Sequence, residues 1–169
     1  MVNLYIITGP AGVGKSTISR GIAESLKKSV LLEGDDFYHH VVGGYVQAWK
    51  EGNHLEIFWK VCIDTINNYL QAGYDVVFNY IINKEKYNEL REIFKKINTK
   101  FVVLLVDENT ILKRDNERPV DCQMKDRCIT LLNNFKNYNY DEKYILYTDN
   151  LSIEETIDTV ISDDRFLIN

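Results

Sequence analysis

Five runs of apolar, largely β-branched residues recur along the chain, at positions 2–8, 30–33, 74–82, 101–107 and 144–148. Each is followed by a stretch whose apolar residues return every three to four positions. A strand covered on both faces needs no polar alternation, whereas a helix lying on a sheet keeps one face wet. The pattern therefore predicts βα units built around a parallel sheet. The first helix is expected over about 15–28. In 55–71, Phe58, Cys62, Thr65 or Ile66, and Tyr69 stripe one helical face, and Gly73 closes the helix. Positions 83–100 and 131–143, rich in Asn and Lys, read as amphipathic helices with solvated outer faces. Two segments follow neither period: 37–53, with Gly43, Gly44 and Gly52, and 119–128. Both are expected to be loops near the carboxyl ends of strands, where βα proteins collect their chemistry.

With 169 residues, 45% of them hydrophobic, the chain can bury one sizeable core, and a single domain spanning 1–169 is expected. The net charge of −5 argues against a protein that grips nucleic acid by neutralising phosphates. Cys62, Cys122 and Cys128 are odd in number and lack zinc-ligand spacing, so they read as reduced, packed thiols. No apolar run approaches the roughly 18 residues of a membrane span. The apolar run at 2–8 has no basic residue before it and is too short for a signal-peptide core. A soluble, cytoplasmic protein without a membrane partner is the expectation.

Chemistry enters with Gly9-Pro10-Ala11-Gly12-Val13-Gly14-Lys15-Ser16, which satisfies G-x₄-G-K-[ST] between the first strand and the first helix. The glycines let backbone N–H groups turn inward on a phosphate, and the helix N-terminus adds positive potential. Gly9, Gly12, Val13 and Gly14 form the expected cradle. Lys15 reaches the β- and γ-phosphates, Ser16 is the expected Mg²⁺ ligand, and Thr17 lies beside the α-phosphate. ATP with Mg²⁺ is the expected ligand.

The second strand ends in Glu33-Gly34-Asp35-Asp36, three carboxylates one βα unit downstream of the phosphate loop. Phosphoryl transfer to an alcohol needs a carboxylate that orients the hydroxyl and takes its proton, close to a metal that offsets phosphate charge.

On these residues the chain resembles the shikimate kinase, gluconate kinase and chloramphenicol phosphotransferase group, within the adenylate-kinase-like P-loop kinases. Glu33-Gly34-Asp35 resembles the acidic-x-Asp element of shikimate and gluconate kinases. Asp35-Asp36-Phe37-Tyr38 is similar to the D-D-F-[FY] of nucleoside and nicotinamide riboside kinases. The resemblance implies a three-layer α/β/α fold with a parallel five-stranded sheet in the order 2-3-1-4-5. It also implies ATP-dependent transfer of the γ-phosphoryl group to a hydroxyl of a small molecule: a nucleoside, a sugar acid, shikimate or an antibiotic. By it, Asp35 is the base or hydroxyl-orienting group, Asp36 is the reserve, and Glu33 or Asp36 meets Mg²⁺ through water.

Around this centre, a substrate-side lid is expected over about 37–60 and a phosphate lid over about 114–128. The first is rich in aromatic residues, with Tyr38 and Trp49 the candidates to touch a ring-bearing acceptor. Asn79, near the end of the third strand, can orient a hydroxyl but cannot act as a base. Arg114 and Arg118 resemble an R-x₃-R lid: Arg114 would contact adenine or phosphate, Arg118 would be the catalytic lid arginine, and Arg127 is a third candidate. Their alternative is surface pairing with Asp115 and Glu117. A rival reading takes Asp107-Glu108 at the end of the fourth run as a Walker B pair in a hydrolytic NTPase or switch, and another takes the chain as a non-catalytic nucleotide-binding regulator. Ser152 and Glu155 read as a capping box.

Overall fold

The computed structural model describes residues 2–117, 119–120 and 123–168. Arg118 and Cys122, both singled out in the sequence, lie outside the described residues. The strands are β1 (Asn3–Thr8), β2 (Ser29–Glu33), β3 (Asp75–Asn79), β4 (Asn98–Leu105) and β5 (Ile145–Tyr147). They form one sheet in the order β2-β3-β1-β4-β5, with every neighbouring pair parallel. Between them run α1 (Lys15–Ser25), α2 (Gly34–Tyr38), α3 (Leu55–Gln71), α4 (Lys84–Phe94), α5 (Glu108–Asn116), α6 (Asp126–Asn137) and α7 (Ile153–Ser162). Helices cover both faces of the sheet, so the central strands are almost wholly buried, from Leu4 to Ile7, Val76 to Phe78, and Phe101 to Leu105. This burial is why those strands read as continuous apolar runs.

The strands are placed in register at one end by a polar clasp. The Asn3 backbone N–H and its side-chain amide both donate to Asp75 Oδ1, at 2.7 and 3.0 Å, and Asn98 Nδ2 donates to Asn3 Oδ1 at 2.6 Å. The clasp starts β1, β3 and β4 side by side, and the other end of the sheet is left to carry the site.

The boundaries depart from the apolar pattern in four places. β4 begins at Asn98, inside the stretch expected as helix, because Asn98, Thr99 and Lys100 pair with Asn3, Leu4 and Tyr5. Their polar side chains conceal a strand that is nonetheless buried at Thr99 and Lys100. In α3 the inward stripe runs Phe58, Cys62, Ile66, Leu70, so Ile66 rather than Thr65 faces the core. Tyr69 turns outward and packs edge-on to Tyr74, 5.8 Å away. Each step of four residues drifts about 40° around the helix, and the buried face, which also takes in Trp59, follows that drift to Leu70. α6 starts at Asp126, within a segment expected as loop, and ends at Asn137. Finally, 34–38 is helical, so the acidic element opens a helix.

Cys62 and Cys128 are free and buried. Burial pushes the Cys62 thiol up to about 12, which keeps it protonated and inert. Among the described residues, no helix is long and apolar enough to cross a membrane.

Lys100 is buried in β4 and caps α7. Its ammonium donates to the carbonyls of Ile161 and Asp163, at 2.7 and 3.1 Å, and lies 3.4 Å from the Asp164 carboxylate. Replacing the ammonium leaves carbonyls at the helix end without donors, each costing about 1–3 kcal/mol. Lys100→Met is therefore expected to lower stability by about 2–3 kcal/mol in urea or thermal unfolding, although Lys100 is far from any ligand group.

Candidate active site

The phosphate loop joins β1 to α1, and its shape follows from where side chains cannot fit. Gly9 has φ +148°, and a Cβ there would lie 2.4 Å from the Leu104 carbonyl oxygen of β4. Gly12 and Gly14 also hold positive φ, at +85° and +105°. The loop thus curls tightly against the sheet and exposes its backbone to the other side. No side chain caps the N-terminus of α1, whose N-cap is Gly14. Uncapped N–H groups at a helix start make a ready anion site.

The Lys15 ammonium folds back on the loop and donates to the carbonyls of Gly9 and Pro10, at 3.0 and 2.9 Å. Arg114, on α5, donates through Nη1 to the Val13 carbonyl at 2.8 Å, which brings its guanidinium to the loop from the far side. Ser16 donates through Oγ to Glu33 Oε2 at 3.1 Å. Arg20, one turn along α1, lies 3.8 Å from the other oxygen of Glu33. Serine hydroxyl and carboxylate are hard oxygen donors, the kind Mg²⁺ prefers, and two such groups beside a phosphate cradle suit an ion that takes the rest of its shell from phosphate and water. Consistent with that division, no group of three or more His, Cys, Asp or Glu among the described residues could hold a metal ion alone. Ser16 and Glu33 thus fit Mg²⁺.

α2 carries the acidic element past the loop. Gly34 lets it approach closely, since a Cβ there would fall 2.5 Å from the Tyr80 ring. Asp35 and Asp36 are both exposed, but successive helix positions point about 100° apart. Asp35 lines the main cavity and Asp36 does not.

That cavity, of about 790 Å³, is lined by Ala11 to Ile18, by Asp35 and by a group of aromatic residues. Lys15, Ser16, Thr17, Asp35, Asn79 and Arg114 all reach its wall. So do Tyr38 and Trp49 of the expected acceptor side. Gly9 supports the loop from behind and is not part of the lining. Tyr38 is largely spent on structure: its hydroxyl donates to the Val46 carbonyl at 2.8 Å and accepts the His54 backbone N–H at 3.3 Å. Trp49 is 58% exposed, and the Arg127 guanidinium lies 3.4 Å over its ring centroid. This cation–π contact joins the 39–54 loop to the start of α6 across the cavity mouth.

Of four further cavity residues, sequence reasoning passes over Tyr80 and Thr148, sets Tyr45 among the aromatic residues able to line a pocket, and takes His39 as a loop residue. His39, Tyr45, Tyr80 and Thr148 all line the cavity. Tyr80 read only as part of an apolar run, and Thr148 as a strand end. Asp115, weighed in the sequence as a surface partner for arginine, is buried and accepts backbone N–H groups from Met124 and Lys125, at 3.0 and 2.7 Å. It ties the segment after α5 to the helix. Asp107 caps α5 through the Thr110 N–H at 2.7 Å, a bond that holds its carboxyl below the usual carboxylate range. Glu108 is paired with Lys136 at 3.7 Å. Neither lines the cavity.

The fold is shared with several solved structures. The Deinococcus radiodurans tunicamycin resistance protein superposes with a TM-score of 0.72 at 16% identity, over 96% of this chain and 95% of that one. A sugar kinase from Janibacter sp. HTCC2649 gives 0.69 at 16% identity, over 98% and 97%. A gluconokinase from Sinorhizobium meliloti 1021 gives 0.63 at 18%, over 95% and 90%. No curated protein matches the chain in sequence. The AAA domain family matches residues 4–127, which takes in the phosphate loop, the acidic element and Arg114. The protein therefore has the P-loop NTPase α/β fold and belongs to the AAA domain family.

Proposed function

We propose that this protein is a kinase that binds ATP with Mg²⁺ and moves the γ-phosphoryl group to a hydroxyl of a small molecule. The observation that carries the reading is a single cavity lined by both the phosphate loop and Asp35. A carboxylate in the same cavity as a phosphate cradle is what alcohol phosphorylation needs and what simple nucleotide binding does not. The acceptor hydroxyl hydrogen-bonds to Asp35 and gives up its proton as its oxygen bonds to the γ-phosphorus. The bond from that phosphorus to the β–γ bridging oxygen breaks, and ADP leaves. Lys15 offsets charge on the β- and γ-phosphates after leaving the Gly9 and Pro10 carbonyls, and Arg114 and Arg118 serve the phosphate side. Ser16, and Glu33 through water, would hold Mg²⁺, which would supply charge neutralisation at the phosphates.

The whole chain works as one kinase domain, with lids at about 37–60 and 114–128. Its acidic charge and buried free thiols support a cytoplasmic enzyme that acts on a small molecule rather than on nucleic acid or a membrane. The hydrolytic alternative gains no support from Asp107, a helix cap, or from Glu108, paired outside the cavity. Glu108→Gln should accordingly leave turnover within about twofold, the range of a surface substitution away from the chemistry.

The deciding assay is ADP release by purified protein with Mg²⁺ and ATP, alone and with pooled nucleosides, sugar acids, shikimate and hydroxylated antibiotics. Release that rises with a pool supports the kinase. Release equally fast without acceptor and lost in Glu108→Gln means a hydrolase, and ATP binding without release in any pool overturns the kinase reading in favour of a regulator.

A further inference from the structure

Two polar groups at the end of β3 stand out in the cavity wall. Asn79 is 4% exposed, and its Nδ2 is buried without a hydrogen-bond partner among the described residues. The next residue, Tyr80, packs its ring against Phe58 and Trp59, with centroids 4.6 and 5.5 Å away. Its hydroxyl makes no hydrogen bond among the described residues, and both residues line the cavity that Asp35 enters. Burial and the Asp35 charge hold that hydroxyl well above its ordinary value, so it remains a donor. A buried, unmatched amide N–H is costly, and a ligand oxygen at that point would recover the cost.

We propose that Asn79 and Tyr80 form a recognition subsite for a second oxygen of the acceptor, beside the hydroxyl held by Asp35, and that the acceptor is an uncharged, ring-bearing diol. The inference rests on the kinase reading and narrows it. Asn79 and Tyr80 offer neutral donors, which match hydroxyl or ring oxygens. Tyr45 and Trp49 add flat apolar surface suited to a ring. Lys15 and Arg114, cations of the same cavity, are engaged on the phosphate loop, so Asn79 and Tyr80 offer a carboxylate-bearing acceptor no charge to pair with. The Arg127 guanidinium lies against the Trp49 ring at the cavity mouth.

The test compares ribonucleosides with their 2′-deoxy and 3′-deoxy analogues, and with gluconate and shikimate, as acceptors for wild type, Asn79→Leu and Tyr80→Phe. Ribonucleosides should raise ADP release, and a deoxy analogue lacking the second oxygen should show a KM at least tenfold higher in wild type. In Asn79→Leu that preference should collapse toward unity, with KM affected more than kcat. ATP affinity should hold, and Tm should not fall, because the lost amide N–H has no partner among the described residues. Tyr80→Phe should weaken the same preference less, and it preserves the test if Asn79→Leu folds poorly. Faster release with gluconate or shikimate than with any ribonucleoside would overturn the inference and leave the kinase standing. So would an oxygen preference that both variants retain. If no acceptor stimulates release, the kinase reading itself falls, and the inference with it.

Discussion

Asp35→Asn should cut acceptor-dependent ADP release by about 10²–10⁴-fold, the contribution of a positioned general base, while ATP affinity stays within about threefold. Asparagine keeps the shape and can still orient a hydroxyl, but it cannot take the proton. Asp35 is exposed to the cavity rather than packed in the core, so the loss should come without a change in Tm. Asp36→Asn is the matched control. It removes the same charge one residue away, outside the cavity, and should change turnover by less than about threefold. Equal losses in the two variants would mean that the acidic element acts through general charge, and Asp35 would lose its assigned role.

Gly9→Ala should damage both stability and nucleotide binding. The added methyl would meet the Leu104 carbonyl oxygen at 2.4 Å, and φ +148° is a conformation that alanine rarely adopts. Backbone strain and overpacking each cost about 1–3 kcal/mol, so unfolding free energy should fall by roughly 2–5 kcal/mol. The obstacle is backbone of a central strand, which cannot swing away as a side chain could. Relief must come from moving the loop off β4, which disperses the N–H groups aimed at phosphate. ATP affinity should drop at least tenfold in a titration made where the variant remains folded. A substitution at Gly43, where a Cβ meets nothing within 4 Å, should cost little by comparison.

Much of the fold is carried by local patterns. The five apolar runs, the helix at 55–71 and the phosphate loop answer to side-chain periodicity and to glycine spacing, which are properties of neighbouring residues. β4 was misread at its start for a definite reason. Thr99 and Lys100 are polar yet buried, and they are tolerated because Lys100 caps α7, some 60 residues later, through the Ile161 carbonyl. No local pattern announces such a partner. The same holds for Asp115, which accepts backbone N–H groups of the segment before α6.

For the site, the residue types and their spacing carry the expected chemistry: a glycine-rich loop able to curl around phosphate, a serine and glutamate suited to a hard cation, and a carboxylate one βα unit on. Tertiary structure decided which of two adjacent aspartates lines the cavity, because that depends on the helical turn of α2 and on Gly34 seating it against Tyr80. It also brought Asn79 and Tyr80 into the same wall and crossed Trp49 with Arg127 over the mouth. Periodicity reports which face of an element is buried. Which groups converge on one cavity depends on the order in which strands pair and on how closely helices pack, and those are settled only when distant segments meet.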